Sequence, residues 1–427
     1  MMRRAFSVVF PAAIALLAIA PAAATQDFPA PEAPSVGPPP VQFNFAPPGA
    51  RSLAMGASFI GLADDATAAE ANPAGLTILT KPEFSAHFRY TEFENTVPNT
   101  VSQVGFETFT NRVGSPSFFS VVYPWQNAAV SVFYQRAADF RSNSRFEGFI
   151  DDALYNEDRV DVAFRTENFG VSGAFKLGSK ISIGGSIRAT RVRTDALQRV
   201  TLVFPFLRSG DLLLQSIDDA KVDDSQIKTT FNAGILITPT PRFSLGAVFK
   251  KGADMEFTQT AQQTVNATPL EEPLRSGIAS APVRVTVPDV FGGGVAIKAT
   301  DTFTILFDLV RIQYSQADLV TVTPPNPPEH RNGYQLYGEG GWEPLEDATE
   351  FHGGLEYTWA RGDDWIFSLR GGFYTNPDHD GLAGRDSKQN HVTFGGGVVV
   401  KNKLQVDGAV NLANAIKEGL ISFVVRF

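Results

Sequence analysis

From Pro82 onward, hydrophobic and polar positions alternate with a period of two. Phe84, Ala86, Phe88 and Tyr90 alternate with Ser85, His87 and Arg89. Trp365, Phe367, Leu369 and Phe373 alternate with Ser368, Arg370 and Gly372, and Leu404, Val406, Val410 and Leu412 with Gln405, Asp407 and Asn411. In a β-strand this period gives one apolar face and one polar or small face. The pattern predicts fourteen strands, at about 83–94, 114–124, 127–141, 158–178, 180–195, 225–238, 241–257, 283–299, 302–316, 348–360, 363–376, 388–400, 403–413 and 418–427. Six short turns alternate with longer loops at 95–113, 142–157, 196–224, 258–282, 317–347, 377–387 and 414–417. Tight turns at one end, longer loops at the other and an even strand number are the signature of a transmembrane barrel. The expected fold class is therefore all-β, a 14-stranded antiparallel transmembrane β-barrel. The last strand ends on the alternation Phe423, Val425, Phe427, with Phe427 the final residue, which is similar to the signal read by the outer-membrane barrel-assembly machinery.

The residues before Pro82 follow another pattern. Arg3 and Arg4 precede the mostly apolar segment Ala5–Ala20, and Ala22-Ala23-Ala24 is a small-residue cleavage site. Residues 1–24 are expected to be a signal peptide. Residues 25–48 are Pro-rich and expected to form a semi-extended periplasmic tether. Residues 49–81 are dominated by small side chains, with a short helix expected at Asp65–Glu70. A piece this small needs a container, and the lumen of a fourteen-stranded barrel is too wide for wall side chains to fill. Residues 49–81 are thus expected to be a hatch, or plug, inside the barrel of residues 82–427. No run of 18 uncharged apolar residues follows Ala24, so a helical membrane protein is excluded.

Composition narrows the function. The chain has 427 residues, no cysteine and a net charge of −9. Removing residues 1–24 takes away two arginines and no acid, leaving −11. That balance argues against nucleic acid as a partner, and the lack of cysteine removes thiol catalysis and Cys-ligated zinc. The five histidines sit in no nucleophile–base constellation, and no nucleotide-binding motif is present. Asp378-His379-Asp380, Asp218-Asp219 and Asp223-Asp224 lack an EF-hand frame. No enzyme activity, cofactor or metal is expected.

The segment Gly49-Ala50-Arg51-Ser52-Leu53-Ala54-Met55-Gly56, then Leu62-Ala63-Asp64-Asp65-Ala66-Thr67-Ala68, then Asn72-Pro73-Ala74-Gly75-Leu76, resembles the N-terminal hatch of the FadL/TodX family of outer-membrane hydrophobic-compound transporters. Val287-Pro288-Asp289-Val290, entering a strand, adds to the likeness. The resemblance implies passive uptake of long-chain fatty acids or aromatic hydrocarbons by a monomeric barrel, with capture on an extracellular loop, transfer to a lumen pocket and rearrangement of the hatch. A related pattern occurs in type IX secretion barrels, which bind protein partners, and a general porin is the third reading.

The site candidates follow. Leu202, Phe204, Phe206, Leu207, Leu212, Leu213 and Leu214 are apolar in the expected loop 196–224, with a short helix expected to hold the three leucines. An apolar patch facing water asks for a partner, which is the hydrophobic ligand, or else the barrel rim or lipopolysaccharide. Alternation places Arg188, His352 and Arg370 on the lumen face, where an arginine can meet a ligand carboxylate or pair with a neighbouring charge. Asn72, Pro73, Ala74 and Gly75 are the expected hatch or gating turn. Gly292-Gly293-Gly294 and Gly395-Gly396-Gly397, lying inside strands, are expected to mark close packing of the hatch on the wall.

Overall fold

The structure is a computed structural model that describes residues 45–98, 106–150, 154–204, 213–268, 273, 275–316, 319–321, 334–335, 342–343, 346–377 and 388–427. The expected signal peptide, most of the Pro-rich stretch, Phe206, Leu207, Leu212 and Asp378-His379-Asp380 lie outside the described residues. The described residues form a closed antiparallel barrel of fourteen strands. In chain order these are β1 (Glu83–Pro98), β2 (Phe106–Pro124), β3 (Ala128–Ile150), β4 (Leu154–Leu177), β5 (Ile181–Phe204) and β6 (Leu213–Thr240). Next come β7 (Phe243–Lys250, resuming at Ala253–Thr268) and β8 (Arg275–Val287, resuming at Val290–Lys298). β9 (Phe303–Ile312), β10 (Ala348–Arg361), β11 (Trp365–Pro377), β12 (Lys388–Val400), β13 (Leu404–Leu412) and β14 (Ile416–Arg426) complete the wall. β14 closes on β1 from Glu83↔Arg426 to Phe93↔Ile416. No helix among the described residues is long and apolar enough to cross a membrane.

Outward residues show where the bilayer lies. Phe84, Val121, Val132, Phe169, Val171, Ile187 and Phe231 are exposed, and near the short-turn end Tyr123, Trp125, Trp359, Trp365 and Phe367 form aromatic pairs, the girdle expected at a membrane interface. Higher on the same outer face, ion pairs replace the apolar residues: Arg199 with Asp219 at 2.7 Å and Arg145 with Glu157 at 3.1 Å.

β3 to β7 therefore stand well above the bilayer. Most of the segments expected as loops at 142–157, 196–224 and 258–282 are strand. Leu213 and Leu214 lie on β6, not on a helix, and Phe204 pairs with Leu214 across the β5–β6 ladder. Above the bilayer the outer face turns polar, so apolar alternation stops while the hydrogen-bonded ladder continues. Val287-Pro288-Asp289-Val290 enters the strand segment Val290–Lys298 as expected and separates it from Arg275–Val287, because proline has no N–H for the ladder.

The hatch fills the lower lumen. It comprises α1 (Ala50–Ala54), α2 (Ala68–Ala71) and a 3-10 turn at Pro73–Ile78 capped by the Asn72 side chain. The helix expected at Asp65–Glu70 thus begins later, at Ala68. Hatch backbone lies directly on wall glycines. A Cβ on Gly354 or Gly372 would run into Met55 and Gly56, one on Gly246 or Gly294 into Ile60 and Gly61, one on Gly395 into Ala54, and one on Gly184 into Pro73 and Ala74. Gly56 also has a φ of 65°, a left-handed conformation that glycine adopts freely.

Replacing Gly354 or Gly372 by Val overpacks this contact, which costs about 1–3 kcal/mol in a well-packed interior. The expected result is a folded barrel with a displaced hatch. Planar-bilayer conductance should rise from near zero towards that of a barrel lacking residues 49–81, and unchanged conductance in both variants would refute the seating.

Candidate functional site: the chamber above the hatch

Above the hatch, inward side chains of seven strands build a buried apolar cluster, the lining of the chamber region. Phe93, Val113, Ala138, Phe140, Val162, Phe164, Val192, Met255 and Phe257 are buried together, with Val160, Ala196 and Val222 packed against them. Phe93 and Phe140 stack at 5.0 Å. Several of these residues lie in or beside expected loops, and the alternation of Met255 and Phe257 with Asp254 and Glu256 is the signal that marks them in the sequence. Towards the barrel mouth the lining is mixed: Gln198 donates to Asp158 at 3.2 Å and Gln263 to Asp218 at 2.8 Å. Leu202, in this upper region, is half-buried. No group of three or more metal-ligating side chains occurs among the described residues.

The wall around the chamber is not uniformly closed. β2 and β3 pair from Pro124↔Ala129 up to Phe118↔Gln135, where their ladder stops. β3 bulges at Arg136/Ala138 in its pairing with β4, and β1–β2 shifts register at His87/Phe88. Higher up the two strands meet again by side chains, Phe109 edge-on against Phe146 at 5.5 Å. Just below the gap, the lipid-facing surface holds an apolar groove of about 740 Å³ between Phe84, Val121, Val132, Tyr134, Phe169 and Ile187.

Charged groups form the floor of the chamber. Glu70, on α2, accepts hydrogen bonds from Arg188 (3.2 Å), Lys250 (3.1 Å) and Asn232 (2.8 Å). Burial pushes the Glu70 carboxyl up, but the Lys250 and Arg188 charges outweigh it and hold the group below the usual carboxylate range. Arg188 also donates to Thr230 and to the Lys251 carbonyl. Thr230 contacts Thr190, and the chain continues through Asn168 to Gln135, the last rung below the gap. A small cavity beside Glu70 reaches from Gln135 and Ala137 to Gly252 and Pro288.

On the opposite wall, Arg370 is bound between Glu356 (2.8 Å) and Asp407 (2.7 Å), and Glu356 also holds hatch Arg51 at 3.0 Å. His352 contacts Glu350 (3.2 Å) and the Gly56 carbonyl (2.9 Å), and stacks on Tyr374. Arg188, His352 and Arg370 thus face the lumen and each has hatch or wall partners. Asp308 accepts from the Phe59 and Ile60 amides at 2.6 and 2.8 Å. The Asn72 amide donates to the Ile60 and Ile235 carbonyls, and Pro73, Ala74 and Gly75 are buried. Glu70, Asp308 and Arg51 carry much of this anchoring. Their sequence context gives little sign of it, since their partners lie far along the chain.

A family profile described as outer membrane protein transport protein (OMPP1/FadL/TodX) matches residues 48–415. The chain belongs to this family. Its fold is similar to a Pseudomonas aeruginosa FadL homologue (15% identity, 90% of this chain and 98% of that one, TM-score 0.62). It is also similar to the Ralstonia pickettii toluene transporter TbuX (15%, 90% and 99%, 0.56) and the Pseudomonas putida toluene transporter TodX (16%, 90% and 98%, 0.57). A search of curated protein sequences finds no match. As a member of this family the chain is an outer-membrane β-barrel transporter of hydrophobic compounds.

The Glu70 anchor makes hatch seating pH-dependent. A carboxylate held below its ordinary value of 4.5 contributes stability that is fully present above 4.5 and is lost as pH falls through the folded-state value. Barrel conductance should stay low at pH 5 and rise only below 4.5. Glu70→Gln leaves Arg188 and Lys250 buried without their counter-charge, which costs about 3–5 kcal/mol, and should conduct at every pH. An unaltered pH profile in that variant would contradict the anchoring role.

Proposed function

We propose that this barrel carries small neutral hydrophobic molecules, aromatic hydrocarbons foremost, from the chamber sideways through the β2–β3 gap into the bilayer. The observation that supports this is an apolar cluster beside a gap in the wall ladder, with an apolar, lipid-facing groove just below that gap. Such ligands partition poorly into water, so a lateral path into lipid suits them better than a watery channel past a seated hatch. Transport is passive, because the chain has no nucleotide-binding motif. Two proteins of similar fold are toluene transporters, which agrees with an aromatic ligand.

In this reading Arg188 and Arg370 anchor the hatch instead of meeting a ligand carboxylate, since the carboxylates of Glu70, Glu356 and Asp407 already engage them. Capture is assigned to the apolar segment that carries Leu202, Phe204, Phe206, Leu207, Leu212, Leu213 and Leu214, within which Phe204 of β5 and Leu214 of β6 are paired. The segment before the hatch is assigned to the periplasm after signal cleavage, and the barrel is assigned as a monomer assembled through Phe423, Val425 and Phe427.

Uptake of labelled toluene and labelled oleate by cells with and without the protein tests the reading. Cells with the protein should take up toluene faster. A burial worth about 1.5–3 kcal/mol per apolar side chain makes Phe140→Ser with Phe257→Ser, or Leu212, Leu213 and Leu214 together to Ser, at least tenfold slower at low ligand concentration. Arg188→Ala should affect both ligands alike. Loss confined to oleate would make Arg188 a carboxylate ligand, and swelling of liposomes in a hydrophilic sugar would make the barrel a porin.

A further inference from the structure

The wall has a second interruption, on the far side of the chamber. β6 and β7 pair from the short-turn end up to Asn232↔Lys250. Their ladder resumes only at Lys221↔Thr260 and continues to Leu213↔Thr268. Residues 222–231 of β6 and 251–259 of β7 lie between these two runs, and the register differs by one residue across them. Both lips are otherwise well held. β6 stays paired with β5 without a break from Ile181↔Ile237 to Phe204↔Leu214, and β7 pairs with β8 from Ala253↔Val287 to Val265↔Arg275. The breach therefore lies in mid-strand between two edges that are each paired on their other side, and is not fraying at a strand end.

One side chain spans it. The Gln226 amide donates to the Glu256 carbonyl, and its oxygen faces the Glu256 N–H at 3.4 Å. A carboxamide has one donor end and one acceptor end, so it can pair with a peptide group as a neighbouring strand would. A side chain in place of a backbone rung keeps the strands further apart. At the base of the breach, Lys251 N donates to Phe231 O at 2.8 Å. Inside the breach stand Met255 and Phe257 of β7 and Val222 of β6, all part of the chamber. Outside, Phe231 and Ile227 are lipid-facing and 45% and 64% exposed, while Asp223 above them is exposed and paired with Lys221. The breach thus straddles the upper border of the apolar band.

Unpaired strand edges are costly in a membrane wall, and here they lie between buried apolar side chains of the cluster, Met255 and Phe257, and the exposed Ile227 and Phe231. We propose that the β6–β7 breach is a second lateral port of the chamber for neutral hydrophobic molecules, latched by Gln226. It rests on the transport reading given above. Release of this latch exchanges two side-chain hydrogen bonds and leaves both flanking ladders intact, so the port opens without unfolding the wall.

The chain has no cysteine, which allows a clean test. Ser225 and Thr258 are exposed on the two lips. Ser225→Cys with Thr258→Cys, bridged in cells by a short cleavable bis-methanethiosulfonate, should lower labelled toluene uptake at least threefold. Reduction should restore it, and each single variant treated alike should be unaffected. Unchanged uptake in bridged cells would overturn the port while leaving transport itself intact. Purified protein in lipid vesicles gives a readout independent of uptake, the labelling rate of Met255→Cys by a lipid-soluble maleimide. That rate should rise at least threefold with Gln226→Ala and fall with the bridge. A rate indifferent to both would overturn the port even if the protein transports nothing.

Discussion

The hatch has to touch the barrel wall backbone to backbone, and the rest of the structure is arranged around that requirement. A fourteen-stranded wall encloses more space than its own side chains can fill, and some thirty hatch residues close it only if they lie flush against the strands. Wall glycines on β5 to β8 and β10 to β12 leave out the Cβ at the contact positions. Asp308, Glu70 and Glu356 then fix the hatch by taking two amides, two cations and one arginine of or beside it. Close contact excludes water and strengthens these charged hydrogen bonds, and the bonds in turn hold the contact.

A hatch held this way leaves the side walls as the route for an apolar solute. The chamber lies between two places where adjacent strands give up their ladder at a similar distance from the short turns, Phe118/Gln135 on one side and Asn232/Lys250 on the other. Both are flanked by paired strands, with a register shift in β1–β2 and a bulge in β3–β4 beside the first and unshifted ladders beside the second. The Glu70 network reaches both: through Thr230, Thr190 and Asn168 to Gln135, and through Arg188 to the Lys251 carbonyl. The polar chain that seats the hatch thus also supports the lower lips of both interruptions, so hatch and wall are one mechanical unit.

The sequence by itself determined the fold class, the strand number, the polarity of the barrel ends and the hatch. Each of these is written in local patterns: period-two alternation, turn residues, small side chains around Asn72-Pro73-Ala74-Gly75. The glycine runs of β8 and β12 were legible as close-packing sites for the same reason, because glycine inside a strand has few other uses. Tertiary structure decided what local pattern cannot carry. Strand length above the bilayer was hidden because the outer face turns from lipid to water while the backbone ladder continues. The partners of Arg188, Arg370 and His352 were hidden because their carboxylates and carbonyls come from distant segments. The two interruptions were hidden most completely. A ladder gap is a mismatch of register between two strands, and register belongs to neither strand's sequence alone but to how the closed wall apportions its hydrogen bonds.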